Sequence, residues 1–367
     1  MIPFIDLKAQ YNDLKTDINQ QIQNVLEHGQ FILGPEVKEL ESQMSSYLGV
    51  KHSLTCASGT DALLMALMAL DIKPGDEVIT PNFSFFATAE VVAFLGATPV
   101  FVDVDKDTYN ISVESIEKAL SPKTKAIIPV SLYGQMPDMD AIMTLADHHD
   151  LYVIEDAAQS FGAGYLGRKS GSIAHISCTS FFPAKPLGCY GDGGAVFTNS
   201  DELKEKLEII RNHGQTQRYH HEMIGINGRL DTMQCAILLT KLAKYDWEVE
   251  ERQKVANKYN EAFEELKSHE LITPVVKEGR KSVWAQYTLA FSNRDAIIKH
   301  LNDKQIPTSV HYPKPLSEQP ALSGKYRSEN TPNSFWAAES VFSLPMHPYM
   351  KEDDQQQVIE AVKSFFK

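Results

Sequence analysis

The feature that most limits the fold is a regular alternation of strand-like and helix-like segments between residues 53 and 199. Seven short apolar runs predict strands, and segments with a helical spacing of apolar residues follow several of them. Parallel strands need such crossover segments, so the pattern predicts an α/β fold with a mostly parallel, seven-stranded sheet. Ligands of such sheets bind at the carboxyl ends of the strands. The predicted strands are 53–57, 78–81, 99–104, 126–130, 151–154, 176–182 and 194–199.

The length of the chain indicates more than one folding unit. Its 367 residues exceed what one ordinary hydrophobic core supports. Residues 1–245, which include an N-terminal helical segment, are predicted to form a large domain, and residues 246–367 a smaller α+β C-terminal domain. The boundary falls where a helix predicted to end near Tyr245 is followed by a second, strongly charged helix at 248–267.

Composition narrows the possible partners and location. The hydrophobic fraction of 43% and the charged fraction of 23% are those of a soluble globular protein, and the net charge of −13 argues against a nucleic-acid partner. No segment approaches the roughly 20 apolar residues of a membrane span, and the first residues do not resemble a signal peptide. The sequence therefore predicts a cytoplasmic protein without a membrane or nucleic-acid partner.

The spacing of cysteines and histidines does not indicate a metal site. The four cysteines are scattered and form no CxxC pair, so neither a zinc site nor a disulfide framework is predicted. His220 and His221 are adjacent rather than four residues apart, which is not the spacing of a helical metal pair. The prediction is a reduced protein without a metal ion.

A lysine in the loop after the sixth predicted strand has an unusual setting. Lys185 lies between Pro183 and Pro186, and four glycines follow within nine residues. Proline fixes φ and lacks an amide hydrogen, so Lys185 cannot lie in an ordinary helix interior. Burial among apolar groups disfavours the ammonium form and favours a nucleophilic amine, as Schiff-base chemistry requires. An ordinary turn lysine between two strands is the alternative.

Three earlier features of the chain each have a functional and a structural interpretation. Gly59 and Thr60 follow a strand and begin a helix, where free amides and the helix dipole favour an anion, although simple capping explains the same residues. Aromatic residues at 83–86 belong to the core or stack on a planar ring. Asp156 leaves a buried strand, so its carboxylate needs either a structural ion pair or a functional partner.

Together these four parts match the requirements of pyridoxal phosphate. Its phosphate binds a helix N-terminus, its ring stacks on an aromatic side chain, its ring nitrogen needs an anion and its aldehyde needs a lysine. The sequence resembles the DegT/DnrJ/EryC1/StrS family of nucleotide-sugar aminotransferases, which are fold-type I pyridoxal-phosphate enzymes, over essentially the whole chain. The matching segments are Phe4-Ile5-Asp6-Leu7, Gly29-Gln30-Phe31-Ile32-Leu33-Gly34-Pro35, Ala57-Ser58-Gly59-Thr60-Asp61-Ala62-Leu63, Gly75-Asp76-Glu77-Val78-Ile79-Thr80-Pro81, Glu155-Asp156-Ala157-Ala158-Gln159-Ser160 and the segment around Lys185.

The resemblance implies a role for individual residues and assigns pyridoxal 5′-phosphate to the large domain. Lys185 resembles the Schiff-base lysine that also moves a proton, and Asp156 resembles the partner of the ring nitrogen. Family members place the site at a dimer interface, so a homodimer is implied in which Asn227 reaches the cofactor phosphate of the other subunit. Ala184 and Pro186 depart from relatives, which often have Ser or Asn near these positions. The other implied cofactor contacts are Gly59, Thr60 and Ser180 at the phosphate, Phe85 on the ring and Gln159 at the ring hydroxyl.

A finer pattern implies the substrate. This pattern comprises the segments 211–215, 218–221, 227–234, 310–313 and 343–349. The subgroup that these segments most resemble aminates UDP-2-acetamido-2-deoxy-3-oxo-D-glucuronate with L-glutamate, in a ping-pong reaction that supplies surface polysaccharides such as O-antigen or capsule. That substrate carries a diphosphate and a carboxylate, and Arg229 offers a planar fork for either group. The other implied substrate contacts are Gly29, Phe31, His213, His311 and Tyr312.

Three alternatives stay open at this point. A family member acting on a dTDP-3-oxo-6-deoxyhexose would meet a neutral methyl group instead of the carboxylate. A family dehydratase uses pyridoxamine phosphate without a Schiff-base lysine, and the presence of Lys185 argues against it. A non-catalytic regulatory protein would keep the fold without the chemistry.

Overall fold

The computed structural model describes residues 2–367. Its helices are α1 (Leu7–His28), α2 (Pro35–Leu48), α3 (Gly59–Ala69), α4 (Ala87–Phe94), α5 (Val113–Ala119), α6 (Met139–His148), α7 (Asp201–Arg211), α8 (Thr232–Phe263), α9 (Arg294–Asp303), α10 (Pro332–Ser340) and α11 (Glu352–Phe365). Its strands are β1 (His52–Cys56), β2 (Glu77–Pro81), β3 (Thr98–Val102), β4 (Thr124–Ile127), β5 (Tyr152–Asp156), β6 (Gly164–Tyr165), β7 (Arg168–Lys169), β8 (Ile176–Ser180), β9 (Gly194–Thr198), β10 (Gln215–Gln217), β11 (His220–His221), β12 (Arg280–Lys281), β13 (Tyr287–Ala290), β14 (Arg327–Ser328) and β15 (Val341–Leu344).

The central sheet has the strand order β1-β9-β8-β5-β4-β2-β3-β14. Neighbouring strands are parallel except at β9, which is antiparallel to both β1 and β8. All seven strands predicted from the sequence are present. The sheet has one strand more than predicted, because β14 adds only two residues at the edge beside β3, and a pair that short leaves no alternation to detect.

Both faces of the sheet are buried by helices. Successive strand residues point to opposite faces, and they enter two separate apolar cores: Ile79 and Val153 lie in one, Val78 and Ile154 in the other. The first core includes residues of α2, α6 and α8, and the second includes residues of α3, α4 and α7. This three-layer arrangement is typical of parallel sheets and explains why the strands read as almost continuous apolar runs.

A third apolar core lies in the C-terminal part of the chain. It joins the second half of α8 to α9, α11, β13 and β15, with Tyr259 and Phe263 stacked at its centre. The strands β13 and β15 pair with each other and not with the central sheet. We keep the division into residues 1–245 and 246–367 as a proposal for the two domains.

The two helices predicted on either side of residue 246 are one continuous helix. The predicted break near Tyr245 is wrong, because α8 runs without interruption from Thr232 to Phe263. The segment contains no glycine or proline that would end a helix. The change in composition arises because the helix leaves the core of the central sheet and then enters the third core. No helix of residues 2–367 is both long enough and apolar enough to cross a membrane.

Candidate active site

A cavity of about 480 Å³ lies at the carboxyl ends of the strands. Asp156 and Ser180 are the last residues of β5 and β8, and Gly59 is the first residue of α3, so three separate elements converge there. The location agrees with the expectation for ligand sites in parallel sheets. The predicted site residues that line the cavity are Gly59, Thr60, Phe85, Asp156, Gln159, Ser180, Lys185, His311 and Tyr312.

Lys185 lies in the loop that connects β8 to β9. Its backbone N–H donates a hydrogen bond to the Phe182 carbonyl at 2.8 Å, which closes a tight turn. Burial lowers the pKa of the Lys185 ammonium group, and the nearby Asp156 carboxylate opposes this shift. Burial therefore favours the neutral amine, the form that can act as a nucleophile or accept a proton.

Asp156 is 6% exposed. Its Oδ2 accepts a hydrogen bond from the Thr88 hydroxyl at 3.0 Å, and its Oδ1 accepts one from the Ala158 N–H at 3.1 Å. Burial raises the pKa of the Asp156 carboxyl, although the Ala158 N–H, Lys185 and Thr88 act in the opposite direction. A cationic partner stabilises the charged form of a buried carboxylate, and a protonated ring nitrogen is such a partner.

Glu155 fixes the end of β5 from the opposite side of the strand. Its side chain is fully buried, yet both oxygens are satisfied by donors from three other segments of the chain. Since successive strand residues point in opposite directions, anchoring Glu155 also fixes the direction of Asp156. The donors are Ser131 Oγ at 2.7 Å, Ser170 Oγ at 2.6 Å, the Gly171 N–H at 2.9 Å and Ser177 Oγ at 3.2 Å.

The start of α3 and Ser180 form what we call the phosphate site, made of Gly59, Thr60 and Ser180. Ser58 caps the helix by accepting a hydrogen bond from the Asp61 N–H at 3.0 Å, and the first amides of the helix have no partner within it. A Cβ atom on Gly59 would lie 2.6 Å from Ser180 Cβ, and one on Gly194 would lie 2.5 Å from the Ser58 carbonyl oxygen. Glycine at both positions therefore allows the helix start to approach β8 and β9 closely.

An aromatic side chain and an amide complete the wall of the cavity. Phe85 is 55% exposed, and its ring centroid lies 6.0 Å from that of Tyr312. Gln159 is buried, with Oε1 accepting from the Tyr133 N–H at 2.7 Å and Nε2 donating to the Tyr312 hydroxyl at 3.0 Å. These contacts hold Gln159 and Tyr312 in fixed orientations beside the cavity.

His311 lies beside the cavity as a neutral group. Burial is the main cause that lowers its pKa to about 4. Its Nε2 and Nδ1 atoms lie 3.2 Å from Ser309 Oγ and 3.3 Å from Ser343 Oγ. At neutral pH His311 can therefore hydrogen-bond a substrate but cannot offer a positive charge to a diphosphate or carboxylate.

Five predicted site residues lie outside this cavity: Gly29, Phe31, His213, Asn227 and Arg229. Gly29 ends α1 in a left-handed conformation, and Phe31 is 49% exposed. Asn227 is exposed, whereas Arg229 is half-buried and donates from Nη1 to Asn212 Oδ1 at 2.7 Å. The structure of one chain therefore places the predicted cofactor residues together, except Asn227, and most of the predicted substrate residues apart from them.

Several residues at the cavity have no signal in the sequence that would have identified them. Thr88 contacts Asp156 from α4, and Tyr133 contacts Gln159 from the segment after β4. Gln286 and Asp192 also line the cavity, and Gln286 Oε1 is buried without a hydrogen-bond partner in residues 2–367. Thr88, Tyr133 and Gln286 are far from Lys185 in the sequence, and Asp192 carries no motif of its own. Their proximity is visible only in the folded structure.

The residues at the cavity fit pyridoxal phosphate. The phosphate site combines free helix amides with a hydroxyl at a position where only glycine allows the close approach. A buried carboxylate, a lysine whose pKa is lowered and an exposed phenyl ring share the same space. Among residues 2–367, no group of three or more His, Cys, Asp or Glu side chains is arranged to hold a metal ion.

Comparison with known proteins agrees with this fit. The model of the DegT/DnrJ/EryC1/StrS aminotransferase family matches residues 12–363. The chain is 53% identical over 350 residues to the UDP-2-acetamido-2-deoxy-3-oxo-D-glucuronate aminotransferase of Pseudomonas aeruginosa, which covers 95% of this chain and 96% of that protein.

Solved structures give the same result for the fold. An aminotransferase of the same family from Brucella abortus superposes with a TM-score of 0.96 at 44% identity, covering 100% of this chain and 99% of that chain. The NtdA protein of Bacillus subtilis, solved with its bound cofactor PMP, superposes with a TM-score of 0.92 at 32% identity, covering 99% of this chain and 84% of that chain. The predicted fold class, a fold-type I aminotransferase, and the predicted pyridoxal 5′-phosphate cofactor are confirmed.

Proposed function

This chain belongs to the DegT/DnrJ/EryC1/StrS aminotransferase family, and we propose that it transfers the amino group of L-glutamate to C3 of UDP-2-acetamido-2-deoxy-3-oxo-D-glucuronate. The products are 2-oxoglutarate and the 3-amino sugar, which serves surface polysaccharides such as O-antigen or capsule. The observation that carries the chemistry is the convergence of Lys185, Asp156 and the phosphate site on one cavity. The choice of sugar is supported by the relative that is 53% identical.

The residues at the cavity divide the work of the reaction between them. When bound, pyridoxal 5′-phosphate supplies an aldehyde that reacts with amines and a ring that withdraws electrons. The phosphate site would hold the phosphate group, Phe85 would stack on the ring and Asp156 would stabilise a proton on the ring nitrogen. Lys185 removes the proton from the amino-bearing carbon of glutamate, and in the second half-reaction it returns a proton to C3 of the sugar. Burial lowers the pKa of the Lys185 ammonium group and so favours the neutral amine that both transfers need.

Arg229 and Asn227 are proposed to act on the active site of a partner subunit. Both lie outside the cavity of their own chain, and Arg229 Nε is buried without a hydrogen-bond partner among residues 2–367. A protein with a net charge of −13 needs local cations to bind a substrate that carries a diphosphate and a carboxylate. Because His311 is neutral, Arg229 from the partner is the cation we assign to this task, within a homodimer that has shared sites.

The substrate is tested by parallel assays on two sugars. Purified enzyme with L-glutamate is given either the UDP-3-oxo-glucuronate or a dTDP-3-oxo-6-deoxyhexose, and 2-oxoglutarate formation is measured. We expect turnover of the UDP sugar, none with Lys185→Ala, and wild-type turnover with Lys314→Ala, an exposed lysine three residues from His311. Turnover of the dTDP sugar alone would establish the alternative substrate.

The shared site is tested by mixing two inactive variants. Lys185→Ala lacks the reacting amine and Arg229→Ala lacks the proposed substrate cation, so each homodimer should have very low activity. After exchange of subunits, a heterodimer contains one cavity with both residues intact, and activity should return in the mixture. No recovery in mixtures whose heterodimers are verified by mass spectrometry would place Arg229 at its own chain's site or outside the site.

The alternative of a non-catalytic regulatory protein is distinguished by colour. A functional site binds pyridoxal 5′-phosphate with visible absorption that Lys185→Ala loses. A colourless wild type that takes up no added cofactor would support the regulatory alternative.

We also propose a cytoplasmic location, since all four cysteines are free and buried, as expected in a reducing compartment.

A further inference from the structure

Lys241 on α8 has a buried ammonium group that the steps of transamination do not use. Its side chain is 1% exposed. Its Nζ atom donates a hydrogen bond to the Gly188 carbonyl at 2.6 Å and lies 4.1 Å from the centroid of the Tyr190 ring. No carboxylate among residues 2–367 lies within 4.0 Å of this atom. The ammonium is therefore paired with a carbonyl dipole and an aromatic face rather than with an acid.

Burying an ammonium group against one carbonyl and one aromatic ring costs free energy. Burial lowers the pKa of Lys241 to about 8, with Glu248 and Cys189 acting in the opposite direction. Transfer of an ammonium group from water to the interior is unfavourable unless its partners compensate for the lost hydration. The partner that Lys241 meets is part of the loop that carries Lys185.

The Gly188 carbonyl belongs to a loop that is closed on itself. A Cβ atom on Gly188 would lie 2.6 Å from the Pro183 carbonyl oxygen and 2.7 Å from the Phe182 carbonyl oxygen. The Cys189 N–H donates to the Phe181 carbonyl at 2.7 Å, which joins the outgoing and returning parts of the loop. Because these parts are in direct contact, a shift of Gly188 also shifts the turn of Phe182 and Pro183 that positions Lys185.

A second side chain of α8 holds the next part of the same loop. Gln234 Oε1 accepts from the Tyr190 N–H at 2.9 Å, and Gln234 Nε2 donates to the Tyr190 carbonyl at 3.3 Å. Gln234 and Lys241 are seven residues apart, close to two helical turns, so they lie on the same face of α8. The helix therefore contacts the loop at two points, one at Gly188 and one at Tyr190.

We propose that Lys241 is a positioning residue: from α8 it holds the Gly188 carbonyl and so sets the position of the Lys185 amine for proton transfer. The proposal rests on the role of Lys185 in the proposed function. It predicts a loss in the proton-transfer step and not in substrate binding, since Lys241 does not line the cavity.

The test compares four variants of the full-length holoenzyme. Lys241→Met keeps an apolar chain of similar size but removes the donor, and Lys241→Arg restores a cationic donor. Lys244→Met is the matched control, because Lys244 lies on the same helix and pairs with Asp13 away from the loop. Gln234→Leu removes the second contact and decides the question if Lys241→Met fails to fold.

The half-reaction with L-glutamate is followed by the absorbance of the bound cofactor after rapid mixing. We expect Lys241→Met to lower the rate constant at saturating glutamate by about 10- to 100-fold, as for a misplaced catalytic group, with a change of less than about threefold in half-saturation. Gln234→Leu should show the same split, Lys241→Arg should lie closer to wild type, and Lys244→Met should match wild type. A wild-type rate constant in Lys241→Met, or an equal loss in Lys244→Met, would overturn the proposal.

A second measurement separates this proposal from the proposed function. The visible absorption of the cofactor bound to Lys185 is titrated with pH in the absence of any substrate. A displaced midpoint in Lys241→Met but not in Lys244→Met supports the positioning role even if L-glutamate is not a donor. An unchanged midpoint together with an unchanged half-reaction rejects it.

Discussion

Replacement of Gly59 by alanine should weaken cofactor binding more than it weakens the fold. A Cβ atom at this position lies 2.6 Å from Ser180 Cβ and 3.2 Å from both Cα and Oγ of Ser180. Carbon atoms in favourable contact are about 3.5–4.0 Å apart, so Ser180 or the start of α3 must move by about 1 Å. Both belong to the phosphate site, and the shift therefore separates groups that bind one anion together.

The size of the effect follows from two opposing contributions. Overpacking of this kind costs about 1–3 kcal/mol, and the better helix propensity of alanine returns roughly 0.5–1 kcal/mol, so the net loss of stability lies between about 0 and 2.5 kcal/mol. The loss of one hydrogen bond to the charged phosphate costs about 1.5–3 kcal/mol, which corresponds to a roughly 10- to 100-fold rise in Kd.

The assay is a titration of apoprotein with pyridoxal 5′-phosphate, followed by visible absorbance, alongside urea unfolding of the apoprotein. The double variant Gly59→Ala/Ser180→Gly removes the atom that clashes, so it should recover stability while affinity stays near that of Ser180→Gly alone. Wild-type affinity in Gly59→Ala would refute the argument from close approach. A stability loss that persists in the double variant would show that the strain lies elsewhere.

Two further predictions concern buried ionisable groups. Asp156→Asn keeps an acceptor for Thr88 or Ala158 but loses the charge, so the half-reaction with L-glutamate should slow by about 10²- to 10³-fold. The apoprotein should be at least as stable as wild type in urea, because burial disfavours the carboxylate. Burial, together with Arg252, lowers the pKa of His347 from 6.5 to about 4. Below pH 6.5 the unfolded chain therefore binds a proton that the folded chain does not. As the pH falls from 7 to 5, this difference lowers the free energy of unfolding by about 2 kcal/mol. His347→Leu should remove this loss, and a difference in unfolding free energy from wild type that is the same at both pH values would contradict it.

The sequence predicted what depends on local patterns. The seven strands and the positions of Lys185, Asp156 and Gly59 at their carboxyl ends all follow from apolar runs and from residues that interrupt them. These features can be predicted because strand burial and the geometry of a helix start depend on a few neighbouring residues.

Contacts between distant segments could not be predicted in this way. The bond from Thr88 to Asp156 and the bond from Lys241 to Gly188 depend on how helices pack on the sheet. The continuity of α8 has no local signal either, because the change in composition near Trp247 resembles the end of an element, although the helix there passes from one core to another. Whether Arg229 reaches a partner's site is a property of an assembly and leaves no pattern in one chain.

The close approach of Gly59 to Ser180 makes cofactor affinity a measure of complete folding. Gly59 follows β1 and Ser180 ends β8, and both strands pair with β9, so the contact depends on joining the beginning of the large sheet to segments far along the chain. Pairing of such distant segments carries a high entropic cost and is slow compared with local structure. By mass action, cofactor at 100 times its Kd adds about 2.7 kcal/mol to the stability of the state in which this pairing is closed. Variants that loosen β1 should therefore lose cofactor even when they lie far from the cavity, and supplying excess cofactor should rescue them.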